Sequence, residues 1–190
     1  MTTSEAVARY IRDFVPGCEQ EERDREQMLR FWETCKDAFV RDNTVAHISA
    51  SAWVVDPGRE KALMIYHNIY NSWSWTGGHA DGETDLLKVA LREAEEETGV
   101  AARPVMEAPF SLESLYVAAH RKRGKYVSSH VHMNVTFLLE ADPEAPTRVK
   151  ADENSGVMWV PFEEVCDRCS EADMKPIYAK LMERVKALAN

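Results

Sequence analysis

The sequence predicts an α/β fold with a helical extension at its N-terminus. Three features carry that reading: β-prone runs on both sides of one acid-rich helix, a turn signal between the first two runs, and a helical pattern closing the chain. At 190 residues with 45% hydrophobic content the chain can bury one substantial core, and neither a linker nor a repeat marks a second domain.

Residues 1–43 are expected to form the extension and residues 44–190 the domain. Within the extension, EQEERDREQMLRFWETCKDAFV (19–40) has the pattern of an amphipathic helix, with Met28, Phe31, Trp32, Cys35 and Phe39 on one side. That side caps the domain or serves a homodimer or substrate-recognition contact. HISASAWVV (47–55) and KALMIYHN (61–68) read as strands separated by the turn signal Asp56-Pro57-Gly58. The acid-rich segment follows, GGHADGETDLLKVALREAEEETGV (77–100). LESLYVAA (112–119) and YVSSHVHMNVTFLLEA (126–141) are again strand-like, joined by the basic run from Arg121 to Lys125. GVMWVPFEEV (156–165) reads as a last strand entering a helix, and KPIYAKLMERVKALAN (175–190) keeps helical periodicity to the end.

The acid-rich segment has well-marked ends. Asp85 suits an N-cap, Gly99 suits the left-handed position after a last turn, and Leu87, Leu91 and Ala94 form an apolar stripe. Gly77, Gly78 and Gly82 let the preceding chain fold tightly against the helix. Glu93, Glu96 and Glu97, spaced by three and four, fall on one helix face within a turn. Like charges so close repel by a few tenths of a kcal/mol per pair, an objection that a divalent cation removes. Mg²⁺ prefers carboxylate oxygens and commonly joins one or two of them to substrate phosphates.

Glycine loop, buried stripe and acidic face together resemble the signature of the Nudix family: a glycine, five residues, Glu, seven residues, then Arg-Glu-apolar-x-Glu-Glu-x-Gly-apolar. The matching residues are Gly78, Arg92, Glu93, Ala94, Glu96, Glu97, Gly99 and Val100. Thr84 stands where the family usually has its first Glu, with Glu83 and Asp85 beside it. Glu83 is expected to take over that role and pair with Arg92, because a carboxylate offers a guanidinium two charge-assisted hydrogen bonds and a threonine hydroxyl at most one weaker contact.

The resemblance implies a Nudix-like α/β/α sandwich with a mixed β-sheet. It also implies a pyrophosphatase that uses Mg²⁺, with Mn²⁺ as a substitute, to hydrolyse a phosphoanhydride in a nucleoside diphosphate derivative. Glu93, Glu96 and Glu97 are the implied metal ligands, and Gly78, Glu83, Arg92 and Gly99 the structural positions. The general base is left among Glu93, Glu97 and Glu153, the last in the acidic loop ADENSG together with Asp152. Candidate substrate contacts are Trp75 ahead of the glycines, where Trp73 also lies, Tyr116, Arg123 in the basic run, and His130. Tyr116 falls where some dinucleoside polyphosphate hydrolases of the family carry tyrosine. His130 and His132 alternate on a strand and share a face.

Composition narrows the partners. A net charge of −9 argues against stable nucleic-acid or anionic-membrane binding, leaving a small nucleotide-type substrate. No apolar stretch approaches the roughly 20 residues that span a bilayer, and the start of the chain has no signal-like core, so the cytoplasm is the expected compartment. Reduced thiols are expected at Cys18, Cys35, Cys166 and Cys169, the last two being ordinary helix-face cysteines in the absence of a second ligand pair. Two other classes stay open: an isopentenyl-diphosphate-isomerase-like enzyme, whose expected cysteine on a strand ahead of the acid-rich segment is missing, and a non-catalytic nucleotide-sensing domain, which usually loses the helix glutamates retained here.

Overall fold

The structure is a computed structural model that describes residues 3–122 and 124–188. In chain order the elements are α1 (Thr3–Asp13), α2 (Glu19–Thr34), β1 (Ala46–Val55), β2 (Lys61–His67), β3 (Ser72–Ser74), β4 (Thr76–His79) and α3 (Leu86–Thr98). There follow β5 (Arg103–Pro104), β6 (Ser111–Val117), β7 (His120–Lys122), β8 (Lys125–Val127), β9 (His130–Glu140), β10 (Asn154–Pro161), α4 (Phe162–Arg168) and α5 (Lys175–Leu188). They fold as two compact units. One takes the chain up to Ser51, Gly77–Ala90 and Met106–Phe137; the other takes Ala52–Thr76, Leu91–Val105 and the chain from Leu138 on.

In the first unit β4 pairs with the start of β1, and β6 runs antiparallel to β9 in a register that sets Ser111 opposite Thr136 and Val117 opposite His130. Helix α2 lies on β6. The carboxylate of Glu21, fully buried, accepts the Ser111 hydroxyl at 2.7 Å, Gln20 donates to the Leu112 carbonyl at 3.0 Å, and the Ser114 amide donates to Asp24 at 3.0 Å. The expected helix over 19–40 stops at Thr34, where the Cys35 amide closes on the Phe31 carbonyl. Its apolar side therefore splits, with Met28 buried on the helix and Phe39 returning from a turn to meet Trp32 edge-on at 4.9 Å. The basic connection is itself a hairpin, β7 against β8.

In the second unit the order is β10-β2-β1-β9-β5, with β3 added to β2. β10, β1 and β3 each run antiparallel to β2, and β5 antiparallel to β9. β1 and β9 run parallel: the Val131 amide donates to the Val45 carbonyl at 3.0 Å and the Ala141 amide to the Val55 carbonyl at 3.1 Å, the same sequence offset at both ends. The sheet is therefore mixed, and the chain is α/β as the sequence predicts. Every residue of β1 is buried, which fits its run of small and apolar side chains, interrupted by His47.

Helix α5 buries Tyr178, Leu181, Met182 and Val185, the i, i+3, i+4, i+7 positions of one face. Tyr178 stacks on Trp53 at 5.5 Å and meets Trp75 edge-on at 5.6 Å, and its hydroxyl accepts the Trp75 amide at 3.3 Å. A fully buried side chain of this size contributes about 1.5–3 kcal/mol through removal of apolar surface from water. Among the described residues no helix is long and apolar enough to cross a membrane.

Candidate active site

Helix α3 begins as the sequence predicts. Asp85 caps it, its carboxylate accepting the Lys88 amide at 3.1 Å. It ends at Gly99, whose φ of +76° is the left-handed conformation glycine tolerates, and a Cβ there would lie 2.6 Å from Arg148 Cγ. The buried positions are Leu86, Val89, Ala90, Ala94, Glu97 and Thr98, while Leu87 and Leu91 are half-buried. The apolar stripe is thus rotated from the expected Leu87–Leu91–Ala94 line.

The expected Glu83–Arg92 pair gives way, since each residue is engaged elsewhere. The Glu83 carboxylate accepts the Thr84 and Asp85 amides at 2.8 and 3.1 Å and the Lys88 ammonium at 3.1 Å. Those amide and ammonium donors pull its pKa down to about 2. Arg92 instead pairs with its own helix neighbours, Glu93 at 3.1 Å and Glu96 at 3.8 Å. Glu83 therefore holds the entry of α3 by local caps, for which no long-range guanidinium is needed.

On the acidic face, Glu97 is 3% exposed, whereas the Glu93 and Glu96 side chains are 13% and 48% exposed. Asn154, fully buried at the start of β10, donates to the Glu97 carbonyl at 2.9 Å and so ties the last turn of the helix to the loop before that strand. From that loop Lys150 reaches back. Its ammonium lies 3.2 Å from Glu96 and 3.0 Å from Glu153. Partial burial alone would lower its pKa, yet the bonds to Glu153 and Glu96, with Glu93 adding charge, raise it above the ordinary lysine value. The place where these carboxylates gather thus favours positive charge. The oxygens that Glu96 and Glu153 bring to it, with Glu93 close enough to add charge, are hard donors of the kind that divalent cations such as Mg²⁺ take.

The glycine loop belongs to the first unit. Gly77 passes so close to β1 that a Cβ would sit 2.5 Å from Ser51 Oγ and 2.8 Å from the Ala50 carbonyl. Beyond Gly78, the Ala80 amide donates to the Ile48 carbonyl at 3.1 Å and the Gly82 amide to the Phe39 carbonyl at 2.9 Å, while Arg41 pairs with Asp81.

The substrate candidates are scattered. Trp75 is 7% exposed and committed to Tyr178, so its ring is core and does not offer a face for stacking. Trp73 packs edge-on against Tyr66 at 5.6 Å. Tyr116 stands out on β6 with 69% exposure. Arg123 lies outside the described residues. His130, with His132, is drawn into a cluster with His47 and His79. Cys166 and Cys169 turn to different partners, the Lys175 and Glu171 carbonyls. Lys150, His47 and His79 were not singled out by sequence reasoning. For Lys150 nothing local marks it, and for the histidines the only cue is the His-x-His spacing on a strand.

A family model described as NUDIX domain matches residues 45–185. Among curated proteins, the chain is 28% identical over 139 residues to a CMP-5'-(N-acetyl-N-hydroxy-3-aminopropyl)phosphonate hydrolase of Streptomyces rubellomurinus, a match covering 71% of this chain. It spans only 59% of that relative's length. Among solved structures, a Clostridium perfringens hydrolase of the NUDIX family superposes with a TM-score of 0.55 at 14% identity, over 73% of this chain and 97% of the other. A C. elegans Ap4A hydrolase in a binary complex gives 0.53 at 18% identity, over 75% and 96%. At these identities the two structures speak for the fold.

Proposed function

The chain belongs to the Nudix family, and on that premise we propose that it is a pyrophosphatase hydrolysing a phosphoanhydride bond in a nucleoside diphosphate derivative, with Mg²⁺ held at the acidic face of α3. The observation that carries the proposal is the gathering of Glu96 and Glu153 around the Lys150 ammonium, beside Glu93 on the same helix. The curated relative, which acts on a CMP-linked phosphonate, supports a nucleotide joined through phosphorus to a second group. Residues 1–43 are then an extension to a catalytic domain of residues 44–190.

In this reading Glu93, Glu96 and Glu97 hold the cation, and Arg92, paired with Glu93 and Glu96, fixes their orientation from the solvent side. When bound, Mg²⁺, or Mn²⁺ in its place, neutralises phosphoryl oxygens and lowers the pKa of a water. Lys150 gives up Glu96 and becomes a donor for a phosphate oxygen. In this reading Glu153, on the loop beside it, accepts the proton of the attacking water, with Glu93 and Glu97 as the alternatives on the helix. Tyr116, exposed on β6, is the residue that the family resemblance offers for contact with a base or second substituent.

The test is a panel of nucleoside triphosphates, nucleotide sugars, dinucleoside polyphosphates and CMP-linked phosphonates, followed for nucleoside monophosphate release with Mg²⁺ and with chelator. Chelator-sensitive release from one class identifies the substrate. Binding without turnover across the panel, or isomerisation of an allylic diphosphate in its place, would overturn the proposal.

A further inference from the structure

We propose that His47, His79, His130 and His132 form a four-imidazole site for a divalent transition metal, zinc foremost, that clasps the glycine loop to β1 and β9. The site lies wholly within the first unit and does not rest on the hydrolase reading. His47 is the second residue of β1, His79 the last of β4, and His130 and His132 open β9 two residues apart and so on one face. Because β4 pairs with β1, and the start of β9 lies beside the start of β1, the three strands deliver their side chains to one spot.

The geometry is that of a coordination shell. One ring nitrogen from each of the four lies within 4.8 Å of the others. Nε2 of His132 is 3.2 Å from Nε2 of His79 and 3.2 Å from Nε2 of His130. Four nitrogens placed tetrahedrally about a zinc ion at about 2.05 Å are separated by about 3.3 Å. The ring centroids repeat the pattern. His47 lies 4.9 Å from His79 and 5.0 Å from both His130 and His132, and His132 lies 4.9 Å from His79 and 5.0 Å from His130. These five ring pairs, at 4.9–5.0 Å, show side chains from three strands converging on one spot.

Protons make the same point. Nδ1 of His47 meets the Asn43 carbonyl at 2.9 Å, and Nδ1 of His130 meets the Ser128 carbonyl at 2.8 Å. A carbonyl only accepts, so both Nδ1 atoms carry a proton, and in the neutral imidazole each Nε2 is then the bare lone pair open to a metal. His132 has one Nε2 proton at most, and two imidazole nitrogens stand at 3.2 Å from it. His47 is 3% exposed, yet its Nε2 has no hydrogen-bond partner. A cation accepts every one of these lone pairs at once. The two carbonyls then do what outer partners of ligating histidines do, fixing the tautomer and the ring direction.

Four nitrogen donors select zinc, copper, nickel or iron over Mg²⁺, and a filled tetrahedral shell leaves no position for substrate, which marks the site as structural. Its effect is local: His79 directly follows Gly77-Gly78, so the ion sets where the glycine loop leaves β4.

The full chain, stripped with a strong chelator and dialysed, is titrated with zinc chloride against a chromophoric chelator. One equivalent should bind with submicromolar affinity and raise the melting temperature, with excess Mg²⁺ failing to compete. His47→Gln and His79→Gln should each weaken zinc binding by about 100-fold or more, while Glu96→Gln leaves it unchanged. X-ray absorption on the zinc-loaded wild type should give four nitrogens at about 2.0 Å, a result that stands even where a histidine variant does not fold. Affinity no better than tens of micromolar, full binding retained by both folded histidine variants, or an oxygen-rich shell would overturn the proposal.

Discussion

The ammonium of Lys150 lies 3.2 Å from a carboxylate oxygen of Glu96, joining the loop before β10 to the acidic face of α3. A positive side chain there offsets the repulsion that Glu93, Glu96 and Glu153 would otherwise exert on one another. The same ammonium competes with any metal ion that enters.

Lys150→Met, which keeps the stem and removes the charge, should therefore act oppositely on the two states. The metal-free protein is expected to lose about 0.5–1 kcal/mol, the usual range for pairs that water can reach. Mg²⁺ should then bind several-fold tighter, because its competitor is gone. Melts at a series of Mg²⁺ concentrations read both effects, and weaker Mg²⁺ binding in the variant would show that Lys150 assists the ion.

Glu96→Gln is the cleanest probe of the proposed metal face. The side chain is 48% exposed, so an amide fits without repacking. The melting temperature should move by no more than about 2 °C while kcat/KM falls about 100-fold or more. Glu97, at 3% exposure, confounds the two effects, and its amide variant is expected to lose stability as well as turnover. Wild-type turnover in Glu96→Gln would remove this carboxylate from the mechanism.

Gly77→Ala should destabilise through a backbone clash. Its Cβ would meet Ser51 Oγ at 2.5 Å and the Ala50 carbonyl at 2.8 Å, and the loss expected from overpacking of this kind is about 1–3 kcal/mol. At Gly82 nothing lies within 4 Å and only the φ of +90° opposes a side chain, so Gly82→Ala should cost about 1 kcal/mol. Chemical denaturation of the two variants ranks them, and equal losses would mean that the close approach to β1 is not what Gly77 provides.

Glu83 should titrate well below an ordinary glutamate. Its pKa of about 2 comes from the Asp85 amide, the Lys88 ammonium and the Thr84 amide, all of which favour the charged form. A group whose folded pKa is depressed loses its anchoring as pH falls through that lower value, so the cap of α3 should persist through pH 4 and release near pH 2. Carboxyl carbon shifts give the midpoint directly. Lys88→Ala should raise it, and an unchanged midpoint would leave the amides as its only determinants.

Trp75 and Tyr116 should separate cleanly in mutation. Trp75→Ala empties a site packed on Tyr178 and is expected to lose about 3–5 kcal/mol, with turnover falling alike on all substrates. Tyr116, 69% exposed, should tolerate alanine within about 0.5 kcal/mol while relative turnover among nucleotide substrates shifts. Uniform turnover in Tyr116→Ala would exclude it from substrate contact.

Much of this molecule is legible from one chain. The limits of α3, its Asp85 cap and Gly99 end, the common face of Glu93, Glu96 and Glu97, and the strands around β1, β2, β6 and β9 all follow from local periodicity and end signals. The misreadings share a cause. The helix expected over 19–40 ends at Thr34 because its apolar residues serve a turn as well as a helix, and Trp75 is core because α5 brings Tyr178 to it. Glu83 finds donors within five residues, so the longer reach to Arg92 is not used.

The sequence by itself determined the helix with its three carboxylates, because positions three and four apart on an α-helix are neighbours whatever else the chain does. Only the tertiary structure decided what meets those groups. Lys150 reaches Glu96 across 54 residues of chain, and four histidines from β1, β4 and β9 converge within 4.8 Å. Such meetings depend on which strands pair and in what register. These are non-local choices fixed by burial of the whole sheet, and a one-residue slip in any of the three strands would turn its histidine to the other face.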